Sequence, residues 1–198
     1  MAESTRRLIY VLNPAAGNGK YLPDARRAAS DAHADTVHVT EHAGECSEYI
    51  ARECLRDPNT HFVVYGGDGT IGEAANGIMM AGAGRHAFLS AVPCGSGNDF
   101  IRGIRSCRTD DGVDYMTLDL IRVNGRYVIN MLNIGFDCSV VVASEQIRRK
   151  RSMPNSLSYI LGIGSALMHK TGFFANVRLS DVCSSDGAPL HDEEFSDQ

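Results

Sequence analysis

Four short runs rich in β-branched and aromatic residues, at positions 8–12 (LIYVL), 36–40 (TVHVT), 61–65 (HFVVY) and 87–92 (AFLSAV), alternate with helical stretches along the first half of the chain. No other feature restricts the fold so strongly. Strand, helix and strand at this interval read as parallel βαβ units, with helices on both faces of the sheet and ligands at the carboxyl ends of the strands. The helices are expected over residues 23–32, 47–56 and 70–81. Ala25, Ala28, Ala29 and Ala32 give the first a small-residue face, while Ile50 and Cys54 turn the second inward at i, i+4. The expected fold class is α/β: an N-terminal parallel-sheet domain of nucleotide-binding type, then the start of a β-rich second domain.

Three of the strands end in glycine-containing loops. The third runs into Gly66-Gly67-Asp68-Gly69-Thr70, where glycines remove the Cβ atoms that block a ligand's approach and permit a tight turn. Thr70 reads as N-cap of the following helix, with Glu73 completing a capping box. Free N–H groups and the dipole at such a helix start favour an anion. Asp68 is the odd member. A carboxylate repels phosphate unless a metal ion, a ribose hydroxyl or a proton transfer requires it.

The first loop, residues 13–20 (NPAAGNGK), fails the Walker A pattern twice: Pro14 stands where glycine is needed, and Tyr21 follows Lys20 in place of Ser or Thr. A P-loop nucleoside triphosphatase is therefore disfavoured. The fourth loop, residues 93–100 (PCGSGNDF), offers two glycines, the Ser96 hydroxyl for a phosphate, and Asn98 or Asp99 as cap of a short helix through Ile104.

Beyond Asp111 the pattern changes. Residues 115–123 and 126–134 read as strands joined by Asn124-Gly125, a strong hairpin signal. This places a boundary near residue 125, giving an α/β domain of nucleotide-binding type over 1–125 and a partial β-rich domain over 126–198. Asp119 falls within the first of these strands. Residues 137–150 read as a helix ending in Arg148-Arg149-Lys150-Arg151, four cations that fit a solvated helix end and, as the alternative, acidic headgroups at a bilayer surface. Residues 156–170 are apolar, too short to span a bilayer and expected as a packed helix, and a strand begins at residue 173. A strand starting there leaves the second domain's edges without partners, so that domain reads as truncated.

Composition narrows the partners. A net charge of −5 argues against nucleic-acid binding. The start of the chain lacks a signal-peptide core and no run of about 18 apolar residues exists, which predicts a cytoplasmic protein. The six cysteines show no C-x-x-C spacing and read as reduced thiols, Cys46 and Cys54 facing a core.

In order and spacing, the loops Asn13-Pro14-Ala15-Ala16-Gly17, Gly66-Gly67-Asp68-Gly69-Thr70 with Glu73 and Asn76, and Gly95-Ser96-Gly97-Asn98-Asp99-Phe100 resemble the diacylglycerol kinase catalytic-domain family of lipid kinases. The central turn alone is shared with NAD kinases and phosphofructokinases, and NAD kinase is the alternative enzyme reading. A nucleotide-binding fragment without catalysis is the non-enzymatic one.

The resemblance implies an ATP-dependent kinase with a membrane lipid alcohol as acceptor, diacylglycerol first, acting in the cytoplasm with peripheral contact at the inner membrane surface. It implies ATP contacts at Asn13, Gly17, Thr40, Gly66, Gly67, Asp68, Gly69, Thr70, Glu73 and Ser96. It also implies a catalytic and Mg2+-linked role for Asp68, a Mg2+ role for Asp119, and a match of Asp99 to the family's N-D-F motif. The acceptor-activating acid of the family is expected beyond Gln198.

Overall fold

In the computed structural model, residues 6–107, 115–133, 135–151, 155–168, 176–179 and 193–196 are described. The chain divides into two compact units, residues 1–131 and 132–198.

The first unit is built on four parallel strands, β1 (Arg7–Leu12), β2 (Thr36–Val39), β3 (Thr60–Gly66) and β4 (Phe88–Pro93), in the order β2-β1-β3-β4. Helices α1 (Leu22–Asp31), α2 (Glu45–Arg56) and α3 (Asp68–Met80) connect them, and α4 (Asp99–Cys107) follows β4. Alternation along the central strands sorts the core into two layers. Ile9, Val11, Phe62 and Val64 face α2 and α3, meeting Cys46, Ile50, Cys54, Ala74 and Ile78. Tyr10, Leu12 and Val63 face α1, meeting Ala25 and Ala29. Of the four alanines expected on the small-residue face of α1, Ala25 and Ala29 are buried, Ala28 is half-buried and Ala32, just past the helix end, is exposed.

Burial pushes the Cys46 thiol up to about 12 and the Cys54 thiol up to about 11. Both remain protonated and unreactive. On α2 the carboxylate of Glu53, only 2% exposed, lies 2.6 Å from Arg7 Nη1 through Oε2, an ion pair without hydrogen-bond geometry. Its Oε1 accepts a 2.7 Å hydrogen bond from Arg56 Nη1. A charge buried this deeply needs such partners.

The strand order reverses at β1, whose two neighbours β2 and β3 lie on either side of it. In open parallel sheets a crevice opens outside the carboxyl ends of the strands at this switch point. Leu12 and Tyr65 are paired in register there, so Asn13 and Gly66 emerge beside one another.

The unit closes with a hairpin, β5 (Ile121–Val123) and β6 (Arg126–Val128), turning at Asn124 (φ +48°) and Gly125 (φ +80°). Its strands are shorter than the sequence pattern predicts. Residues 115–120 are irregular, so Asp119 precedes the strand rather than lying in it. The hairpin is fastened to α3 by one side-chain amide: Asn76 Nδ2 donates to the Tyr127 carbonyl at 2.7 Å, and Asn76 Oδ1 accepts the Tyr127 N–H at 2.8 Å. With that fastening the hairpin belongs to the first unit, and the two compact units divide after Met131, within about ten residues of the expected position.

The second unit contains α5 (Phe136–Arg151), α6 (Asn155–Met168) and an antiparallel pair, β7 (Asn176–Leu179) with β8 (Glu193–Ser196). α5 packs on α6 where Gly162 meets Val140 and Ser144. Of the basic run 148–151, Arg148 Nη2 stands 4.0 Å from Glu145 Oε1, and the other three side chains lie outside the described residues. So does the segment 181–187. No helix among the described residues is long and apolar enough to cross a membrane.

Candidate active site

The loops after β1, β3 and β4 converge at the carboxyl end of the sheet. Asn13 joins the first two: its Nδ2 donates to Thr70 Oγ1 at 2.7 Å, and its Oδ1 accepts the Ala15 N–H at 3.0 Å. The Asn13 N–H donates to the Tyr65 carbonyl at 3.0 Å. The loop after β4 closes against both. Gly17 has φ +56°, and a Cβ there would stand 2.8 Å from the Cys94 carbonyl oxygen, so only glycine fits. A Cβ on Gly95 would lie 2.7 Å from the Gly67 Cα, so the two turns touch backbone to backbone.

α3 begins at Asp68, with Gly67 as N-cap and no side-chain cap, two residues before the predicted start. Thr70 is therefore inside the first turn and does not cap the helix. Its hydroxyl takes the hydrogen bond from Asn13, and a Cβ on Gly66 would fall 2.4 Å from the Thr70 Cβ. Glu73 does not complete a capping box either. Its Oε1 accepts the Gly44 N–H at 3.0 Å, satisfying a backbone donor at the start of α2 instead. The expected box fails because both side chains are drawn to neighbouring loops that a local pattern cannot see.

The N–H groups of Asp68, Gly69 and Thr70 hydrogen-bond to no other described residue, and a Cβ on Gly69 would meet nothing within 4 Å. The first turn of α3 thus offers open, unpaired donors with the positive end of the helix dipole behind them. Those are the requirements of a phosphate site.

Asp68 reaches from this turn to the start of α4. Its Oδ1 accepts the Phe100 N–H at 3.0 Å and its Oδ2 the Asp99 N–H at 3.2 Å. Hence neither Asn98 nor Asp99 caps α4 by its side chain. Asn98, at φ +58°, folds back on Gly95: Oδ1 accepts the Gly95 N–H at 3.0 Å and Nδ2 donates to the Gly95 carbonyl at 2.8 Å. Asp99 pairs with Arg102. Asp68 so links the central turn to the fourth loop, a role that no local sequence signal announces.

The remaining expected residues take varied places. Thr40 is buried where β2 ends; its N–H bonds the Leu12 carbonyl at 2.9 Å and its hydroxyl the same oxygen at 3.4 Å. Ser96 is exposed between the two glycines of the fourth loop. Asp119 is exposed ahead of β5, and among the described residues no three His, Cys, Asp or Glu side chains gather as a metal cluster. A magnesium ion seldom needs a full protein cage, because one or two carboxylates and the substrate phosphates suffice. Asp68, whose oxygens retain lone pairs beyond the two N–H bonds, fits that lesser demand.

Tyr21 and Tyr65 lie beside this junction without having been singled out in the sequence. Their rings stack at 5.6 Å between centroids. A lone aromatic after a glycine loop carries no distinguishing pattern.

The sequence profile of the diacylglycerol kinase catalytic domain matches residues 7–123. Proteins described as "Probable lipid kinase YegS-like" from Yersinia pestis and Yersinia pseudotuberculosis are each 28% identical over 192 residues, covering 90% of this chain and 60% of their own length. The chain therefore spans 60% of the relatives it matches. A solved diacylglycerol kinase from Bacillus anthracis is 26% identical, with 49% of this chain and 36% of that one covered at a TM-score of 0.38. With its profile match running from β1 through β5, this chain belongs to the diacylglycerol kinase catalytic-domain family.

Proposed function

We propose that this chain holds ATP in a kinase that transfers the γ-phosphate to a lipid hydroxyl, with diacylglycerol as acceptor and phosphatidate as product. The observation that carries the reading is the open first turn of α3, set at the sheet's switch point between the two other glycine loops. Phosphoryl transfer depends on positioning and charge neutralisation more than on covalent chemistry by the protein. The N–H groups at the start of α3 would take phosphate oxygens. Asn13 fixes Thr70 in that turn, and Asp68 keeps the fourth loop and Ser96 against it.

A magnesium ion, when bound, would neutralise charge on the transferring phosphate; Asp68 would hold it, with Asp119 the second carboxylate that the family resemblance implies. In the transfer the acceptor oxygen forms a bond to the γ-phosphorus as the bond to the β–γ bridging oxygen breaks. ADP leaves, and the hydroxyl proton passes to a base that the family resemblance puts beyond Gln198. A lipid acceptor agrees with a bilayer-surface setting, for which the basic run 148–151 is suited.

The test is transfer of radiolabel from ATP to lipids in mixed micelles by a full-length form of the protein, with NAD as a parallel acceptor. Labelled phosphatidate is expected from wild type, with a loss of about a hundred-fold or more on Asp68→Asn, the order seen when one electrostatic stabiliser is removed. Labelled NAD without labelled lipid, or failure of the chain to bind ATP, would overturn the proposal.

A further inference from the structure

Tyr21 sits behind the first glycine loop, at the start of α1, where its side chain reaches the ends of β1 and β3. Its hydroxyl contacts the Asn13 carbonyl in a short hydrogen bond and the Tyr65 carbonyl at 3.3 Å. One proton is thereby shared between the last residue of β1's exit and the end of β3. Asn13 and Tyr65 are already joined by the Asn13 N–H, so the hydroxyl closes a second link across the same gap. The ring stacks on Tyr65 with 17° between planes, and a Cβ on Gly17 would lie 3.9 Å from Tyr21 Cδ1. Cys94, whose carbonyl Gly17 touches, completes the enclosure.

We infer that Tyr21 is a positioning residue: its hydroxyl latches the Asn13–Gly17 backbone to the end of β3 and so fixes the loop that closes over the phosphates of a bound nucleotide. The inference rests on the ATP-site reading above. Two features favour a latch over simple core filling. The hydroxyl donates to backbone carbonyls of the two strands that flank the switch point, and those carbonyls belong to residues that frame the site. Burial, with Cys94 adding to it, pushes the Tyr21 pKa up to about 12. The group is thus a proton donor throughout the physiological range. Asn13 in turn positions Thr70, so a displacement of the loop reaches the first turn of α3 through one hydrogen bond.

Tyr21→Phe removes the hydroxyl and keeps the ring stack. Calorimetric titration with ATP and with AMP separates a latch from general weakening. Loss of one hydrogen bond of ordinary strength should weaken ATP binding about five-fold, whereas AMP binding should hold, because it lacks the phosphates the loop would enclose. Tyr10→Phe, which removes a hydroxyl from a ring stacked on the other partner Tyr65 at 6.0 Å, should leave the ratio of ATP to AMP affinity unchanged. Equal ATP affinity in wild type and Tyr21→Phe, or parallel losses for ATP and AMP, would overturn the latch while leaving the ATP site intact. A wild-type protein that binds no ATP would remove the site and the latch together. Faster amide hydrogen exchange at Ala16 and Lys20 in nucleotide-free Tyr21→Phe is the accompanying structural signature, and unchanged exchange there would also count against the latch.

Discussion

Two helix pairs in this chain are brought together by a glycine, yet they are filled in opposite ways. In the first unit a Cβ on Gly77 of α3 would stand 2.5 Å from the Ser47 carbonyl oxygen and 3.1 Å from the Ile50 Cβ on α2. In the second, a Cβ on Gly162 of α6 would stand 2.8 Å from the Val140 carbonyl oxygen and 2.9 Å from the Ser144 Cβ on α5. The closeness of approach is similar. The α2–α3 pair then presses large side chains, Ile50, Ile71 and Ile78, into the core of the sheet domain. The α5–α6 pair buries mainly Val140, Ser158 and Ala166, while Leu157, Ile160, Leu161, Leu167 and Met168 lie exposed. A glycine contact sets the distance between helices, but it is buried apolar volume that holds them against dissociation.

The largest expected difference follows directly. Ile50→Ala removes a fully buried side chain between α2 and β-sheet and should destabilise the first unit by about 2–5 kcal/mol. Ile160 is 63% exposed, and Ile160→Ala should change stability by no more than about 0.5 kcal/mol. Urea unfolding midpoints of the two variants measure the gap. Similar losses in both would mean that the outward stripe of α6 is covered in solution and that the contrast between the pairs is false.

That stripe also shows where the sequence stopped being legible. Leu157, Ile160, Leu161, Gly164, Leu167 and Met168 recur at helical spacing, so the helix itself could be read, but the pattern does not say that Ser158, Gly162 and Ala166 would be the side turned to α5. The strands of the first unit were readable for the opposite reason. Ile9 and Val11 face one layer while Tyr10 and Leu12 face the other, and burial on both faces leaves an unbroken apolar run. At the site, the three loops and their convergence could be anticipated because glycine, asparagine and proline limit backbone choice locally. The side-chain partners could not. Asp68 spans to residues 99 and 100, Glu73 to residue 44 and Asn76 to residue 127, and each link exists only after the sheet has brought distant loops together.

Substituting the two glycines sharpens the comparison at the next level of effect. Gly77→Ala puts a methyl group against the Ser47 carbonyl, and α2 cannot retreat without withdrawing Ile50 and Cys46 from the core. Overpacking of this kind costs about 1–3 kcal/mol, which exceeds the gain of up to about 1 kcal/mol from replacing glycine in a helix. At Gly162 the nearest atom is slightly farther, 2.8 Å against 2.5 Å, and the pair has less buried volume, so α6 can shift and the two terms should nearly cancel for Gly162→Ala. Thermal unfolding of both variants decides the matter. A larger loss for Gly162→Ala than for Gly77→Ala would show that α5 and α6 are the more rigidly held pair.

The smallest expected effect is one of pH, and it also separates the units. His61 on β3 donates to or accepts from Ser90 Oγ at 2.8 Å, and burial, helped by the nearby Arg6 guanidinium, lowers its pKa from the ordinary 6.5. In the folded state it therefore binds protons less readily than in the unfolded chain. Its contribution is fully present above pH 6.5 and is lost as the pH falls from there through the folded value, because the unfolded chain takes up the proton first. Neither α5 nor α6 contains a histidine, so unfolding of that pair should not respond to this group. Unfolding followed by amide exchange at two pH values on either side of 6.5 should show the sheet domain weakening at the lower one, and His61→Gln should flatten that response. An unaltered slope in His61→Gln would assign the acid sensitivity to the carboxylates, and an equal slope in α5–α6 amides would show the two units unfolding as one.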